Sequence, residues 1–159
     1  MKKLLISLPI VCFFLMFMSS TGTAQEIIKA SEVTPAYLKI LCATSNIEVL
    51  EIKDNYIKIN NNIDIYIDLD ADNNFILLNS SYGLSSKATS KTALELVNRI
   101  NKEVVFIRAN YNEGKNLIEY SYYFWIKEGF IDSSLISSIE MYKIALNYSL
   151  GKDKDLLIQ

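Results

Sequence analysis

The chain has 159 residues, with 16 basic against 18 acidic side chains and a net charge of −2, so it lacks the basic footprint that a nucleic-acid partner requires. It contains no histidine, which removes Ser–His and Cys–His nucleophile pairs and histidine-based zinc sites. Its 5 glycines form no phosphate-cradling loop.

Residues 1–24 open with Lys2 and Lys3, run through an apolar stretch from Leu4 to Met18, and end in the small or polar residues Ser19 to Ala24. This is the pattern of a secretory signal peptide, with Gly22 and Ala24 at the positions a signal peptidase reads and cleavage expected after Ala24. A periplasmic or secreted protein with no stable membrane anchor follows. The alternative is an inner-membrane protein held by an uncleaved leader, but an apolar run of about 15 residues is short of the roughly 20 that span a bilayer. Cys12 lies within the apolar run after Pro9, Ile10 and Val11, which is no lipobox. Cleavage would leave Cys42 as the one cysteine, so no intramolecular disulfide is expected. It would also remove Lys2 and Lys3 and make the charge more negative. The remaining chain, about 135 residues, suits one domain.

A short flexible segment, 25–33, precedes a domain over 34–151 and a C-terminal tail, 152–159. Thr34-Pro35 opens a helix to about Ala43, with threonine as N-cap and proline at the first helical position. Cys42 sits there among Leu38, Ile40 and Leu41 and reads as core. Strands are predicted over Ile47–Lys53, Tyr56–Asn60, Ile63–Asp70 and Phe75–Tyr82, separated by Asp/Asn pairs and triplets that favour tight turns. The third alternates most clearly, with Ile63, Ile65, Ile67 and Leu69 on one face. After a loop over 83–89, Thr92 and Glu95 suggest a capping box, and Ala93, Leu96, Val97 and Ile100 share a helix face. Strands Val104–Tyr111 and Leu117–Ile126 form a hairpin that turns at Asn112-Glu113-Gly114-Lys115. A last helix runs from Asp132 or Ser133 to about Leu150 and is closed by Gly151. Leu135, Ile139, Tyr142 and Leu146 make its docking stripe, but Ile136, Met141, Ile144 and Tyr148 widen it beyond one face. That excess predicts a protein partner, a homodimer being the simplest form. The fold class is α+β, a two-layer domain with an antiparallel β-sheet, meander plus hairpin, and helices on one side.

The order of elements and several short motifs resemble the YbjN family of bacterial proteins, in its signal-peptide-bearing members. The carriers are Val97-Asn98-Arg99-Ile100-Asn101, Phe106-Ile107-Arg108-Ala109, Asn112-Glu113-Gly114, Leu117-Ile118-Glu119 and Gly129, with Phe75 to Leu84 as the preceding strand. Ile100 stands where the family often has tryptophan, and the cysteine pair of some exported members is replaced by the stretch Asp70 to Asn74. The resemblance implies a type III secretion chaperone-like fold and a non-enzymatic, protein-binding, chaperone-like or regulatory role. It implies no catalytic residue, and no cofactor is expected.

Other groupings read as structure before chemistry. Asp68-x-Asp70-x-Asp72 begins like a calcium loop, but the glycine and glutamate that an EF-hand needs are replaced by Asn73 and Asn79, so no metal is assigned. Among Glu113, Glu119 and Glu128 no pair stands out as a hydrolytic dyad. In the aromatic run, Tyr123 and Trp125 share one strand face while Tyr120, Tyr122 and Phe124 share the other. The alternative function is therefore a small-ligand or sugar-binding module that uses the strand Tyr120–Trp125. The expected partner surface comprises Tyr123, Trp125, Ile136, Met141 and Tyr148. Asn98, Arg99, Asn101 and Arg108 are candidates for bracing the helix–strand junction or for holding an anion, with Glu95 or Glu119 as carboxylate partners for the arginines.

Overall fold

Our computed structural model describes residues 26–60 and 63–159, so the predicted leader and the turn at Asn61-Asn62 lie outside the described residues. Helix α1 spans Pro35–Thr44, and Thr34 Oγ1 caps it by accepting from the Tyr37 N–H at 3.1 Å. Its inner side buries Leu38, Leu41 and Cys42. A meander follows: β1 (Glu48–Ile52), β2 (Tyr56–Asn60), β3 (Asp64–Leu69) and β4 (Phe75–Gly83). Helix α2 (Ser90–Glu103), the hairpin β5 (Arg108–Asn112) and β6 (Leu117–Trp125), and helix α3 (Asp132–Leu150) complete the chain.

All six strands form one sheet in the order β1-β2-β3-β4-β6-β5, and every neighbouring pair is antiparallel. The hairpin joins the meander through its second strand, with Ile76 opposite Phe124 and Leu78 opposite Tyr122. Alternation then decides what is covered. Ile57, Ile59, Ile65, Ile67, Ile76, Leu78, Ile118 and Tyr120 are all 0% exposed. A fully buried isoleucine contributes roughly 1.5–3 kcal/mol, so this face is where the helices pack. Tyr142 of α3, also fully buried, donates to the Tyr120 carbonyl at 3.1 Å and fixes α3 beneath β6. Tyr37 of α1 hydrogen-bonds the Asp132 carboxylate at the start of α3.

Two local expectations need correction. Helix α2 is capped by Thr89, not Thr92: the Thr89 hydroxyl accepts from the Thr92 N–H at 3.2 Å, and the Thr92 hydroxyl accepts from the Thr89 N–H at 2.9 Å. Strand β5 starts at Arg108, not Val104, because Val104 still donates to Ile100 at 2.8 Å, Val105 is 87% exposed and Phe106 turns the chain at φ 77°. The hairpin turn takes its left-handed residue at Asn116, φ 51°. Gly151 closes α3 as its C-cap, as the sequence suggested, with a right-handed φ of −65°.

Both ends of the described chain are tied down. Ile28 exchanges two backbone hydrogen bonds with Phe130, at 2.7 and 3.0 Å, and Val33 is buried, so residues 26–33 are no loose leader to the domain. At the other end Ser85 N–H donates to the Leu157 carbonyl at 2.7 Å, Gln159 N–H donates to Gly83 at 3.0 Å, and Leu157 is buried. The expected tail is therefore packed against the end of β4.

Candidate functional site

With every helix on one side, the other face of the sheet has no covering layer among the described residues. Strand β4 supplies its floor: Leu77, Asn79 and Ser81 face outward, opposite Tyr123, Ser121 and Glu119 of β6. Tyr66 and Asp68 of β3 and Tyr56 of β2 line one side, and Arg108 and Asn110 of β5 line the other. The result is a trough of about 800 Å3 that crosses five strands. Its floor is low because serine and asparagine occupy the centre, whereas tyrosines stand at the sides. The Tyr56 and Tyr66 rings tilt against each other with centroids 5.7 Å apart, and Tyr123 meets Phe75 edge to face at 5.1 Å.

The polar groups of this trough are held in place. Asn79 Nδ2 donates to Asp68 Oδ2. Burial pushes the Asp68 carboxyl above its ordinary value, and the bond from Asn79 opposes that shift. Glu119 accepts from Asn112 Nδ2 at 2.8 Å and Asn110 Nδ2 at 3.5 Å, so asparagines brace it and no arginine does. Arg108 is exposed, and it stands opposite Ser121 in the β5–β6 register.

The aspartate triplet does not converge. Asp68 faces Asn79, Asp70 Oδ2 accepts from Asn74 N and Nδ2 at 3.0 Å each, and Asp72 is exposed in the turn. Among the described residues no group of three metal-ligating side chains comes together. Glu113 accepts from Ser90 Oγ at 2.7 Å, on a contact separate from that of Glu119.

The junction residues divide by role. Asn101 Nδ2 donates to the Ala109 carbonyl at 3.0 Å, and the Ala109 N–H donates to Asn101 Oδ1 at 2.8 Å. One amide thus pairs like a neighbouring strand against β5, the sheet edge, as the helix–strand junction reading expected. Arg99 binds neither Glu95 nor Glu119; its Nη1 donates to the Lys152 carbonyl at 3.0 Å just beyond α3. Glu95 instead lies 3.9 Å from Lys91 within α2. Asn98 is exposed on α2.

The expected partner surface separates into two. Tyr123 and Trp125, 53% and 60% exposed, lie on the open sheet face, while Tyr120 and Phe124 enter the core. Met141, Ile144 and Tyr148, 46%, 60% and 56% exposed, form a stripe on the outward side of α3, in the opposite layer. Ile136 is half-buried against the core and lies on another side of the helix. Lys152 Nζ sits 4.1 Å from the Tyr148 ring centroid, donates to the Tyr148 hydroxyl at 3.0 Å and reaches Glu103 at 2.7 Å, which pins one end of the stripe. Sequence reasoning missed Tyr56, Tyr66, Asn79 and Ser121 as site residues. Each lies at an outward position of its strand, but only the register of β2, β3, β4 and β6 brings them together.

No family model matches this sequence, and no curated protein matches it either. Among solved structures the chain is similar to YbjN from E. coli, described as a candidate transcription regulator. The TM-score is 0.71 at 13% identity, over 84% of this chain and 99% of that one. It is also similar to an uncharacterized protein from Methanothermobacter thermautotrophicus, with a TM-score of 0.56 at 15% identity, over 78% of this chain and 99% of the other. At such identities the likeness is one of fold: the chain has a YbjN-like α+β architecture, as the sequence motifs suggested.

Proposed function

We propose that this is an exported, non-catalytic, chaperone-like or regulatory protein that works by holding another protein, and that it self-associates as a homodimer through α3. The observation that carries the reading is the outward stripe Met141, Ile144 and Tyr148 on a helix whose inner face is already fully used by Leu135, Ile139, Tyr142 and Leu146. A helix that has docked completely has no packing reason to place three further large apolar side chains on its far side. Spacings of three and four residues align them along the helix, so a second α3 fits against the same stripe in an isologous contact.

Export is supported by the leader pattern of residues 1–24. Among the described residues no helix is long and apolar enough to cross a membrane. The regulatory description of YbjN is compatible with action through protein contacts, and the net charge of −2 favours that route over direct binding to nucleic acid.

A cysteine at position 144 tests the contact. Because Cys42 is buried, mild oxidation of Ile144→Cys should give a covalent dimer, whereas Ile40→Cys on the exposed side of α1 should remain monomeric. Equal cross-linking from both positions, or none from position 144, would count against the α3 contact.

A further inference from the structure

The trough on the opposite side of the sheet is built for a ligand of its own, and we infer that it binds a neutral oligosaccharide. The inference is independent of the α3 contact, since the two surfaces belong to opposite layers. Charge comes first. The charged side chains that line the trough are Arg108 and Lys115 against Asp68 and Glu119, two of each sign. A ligand with net charge would meet as many repelling groups as attracting ones, whereas an uncharged ligand rich in hydroxyls can bond to both.

Polarity comes second. Ligand pockets for apolar small molecules are lined mainly by hydrophobic side chains. This trough has serine and asparagine along its floor, and an apolar guest would leave those groups without partners. The Asp68 carboxylate and the Asn79 amide already bond to each other, so both are oriented before a ligand arrives. Hydroxyl groups of a sugar, each a donor and an acceptor, suit such a mixed set of fixed acceptors and donors.

Shape comes third. Tyr66 of β3 and Tyr123 of β6 line the trough on either side of β4. Lys58 Nζ lies 5.5 Å from the Tyr66 ring centroid, and Tyr123, 53% exposed, is the ring on which the C–H face of a sugar can stack. The trough crosses β2, β3, β4, β6 and β5. Four spacings of about 4.8 Å make it roughly 19 Å across, long enough for several sugar rings in a row.

The chain carries its own reporter. Trp125 is its only tryptophan, stands opposite Phe75 and shares the open face with Tyr123 two residues away. The purified protein would be titrated with cellohexaose, maltohexaose and hexa-N-acetylchitohexaose, with a hyaluronan hexamer as the anionic control, and followed by Trp125 fluorescence and calorimetry. At least one neutral hexamer should give a saturable signal and the anionic one a weaker signal. Tyr123→Ala should weaken binding by roughly tenfold or more, the loss of one stacked ring. Ser121→Trp, which fills the floor, should abolish binding while the circular dichroism spectrum stays native. Binding by none of the three neutral hexamers would overturn the inference, as would tighter binding of hyaluronan. Unchanged affinity in both variants would do the same, because the ligand would then sit elsewhere. A peptide or protein that competes for the Trp125 signal while no sugar does would reassign the face to a protein.

Discussion

Cys42 shows how burial sets chemistry for a single residue. It is 1% exposed, and burial pushes its thiol up to about 11. The thiolate that reacts with disulfide reagents is therefore scarce at neutral pH. Native protein should leave Cys42 unlabelled by a thiol-specific chromophore over minutes, with full labelling once denatured; rapid native labelling would contradict its place in the core. Asp68 has the opposite relation to solvent, since it faces the trough and still titrates above its ordinary value. Its contribution to stability is present below the unfolded-state pKa and is lost as pH rises through the higher folded value. Asp68→Asn should thus raise Tm at neutral pH and leave it little changed in acid, as a pair of melting curves would show. Asn101 carries two hydrogen bonds to the Ala109 backbone, and Asn101→Ala should cost about 1 kcal/mol or more in denaturant unfolding. The sequence showed that Asn101 stands at a helix–strand junction. That its partner is Ala109 depends on Phe106 reversing the chain with a positive φ, a conformation that no local residue preference announces.

At the scale of elements, periodicity was the readable signal. β2, β3 and β4 lie where alternation and Asn/Asp breaks put them, and α3 buries the stripe that its apolar spacing foretold. Boundaries were less legible where the competing signals were equal. Thr89 and Thr92 can each serve as a cap, and both hydroxyls are used, one in each direction. The terminal segments were not legible at all, because their order comes from non-local pairing with Phe130, Gly83 and Ser85. Gly129 is the residue that permits the first of these contacts. Its φ is +86°, and an added Cβ would lie 2.7 Å from Ile27 Cγ2 and 3.0 Å from the Ile28 carbonyl. Gly129→Ala should therefore lower stability by more than ~1 kcal/mol. At the other end, Leu157→Ala should cost ~2 kcal/mol or more in the same unfolding assay, since its side chain is buried against the domain. A neutral result there would mean that the C-terminal segment contributes no packing energy.

Across the described residues the sheet is covered on one side only. Among the described residues, packing α1, α2 and α3 on one face leaves the polar, tyrosine-lined trough on the other, while α3 offers a second, apolar surface in the far layer. The aromatic strand and the last helix were each readable as unusual in sequence. Their opposition was not, because facing directions depend on the β4–β6 register. The protein-contact claim is tested most directly by light scattering across a concentration series, with wild type and Ile144→Lys measured side by side. The wild-type mass should rise from monomer to dimer, and the Ile144→Lys protein should stay monomeric with an unchanged Tm. A wild type that remains monomeric at every concentration, or a variant that dimerises as well as wild type, would contradict it.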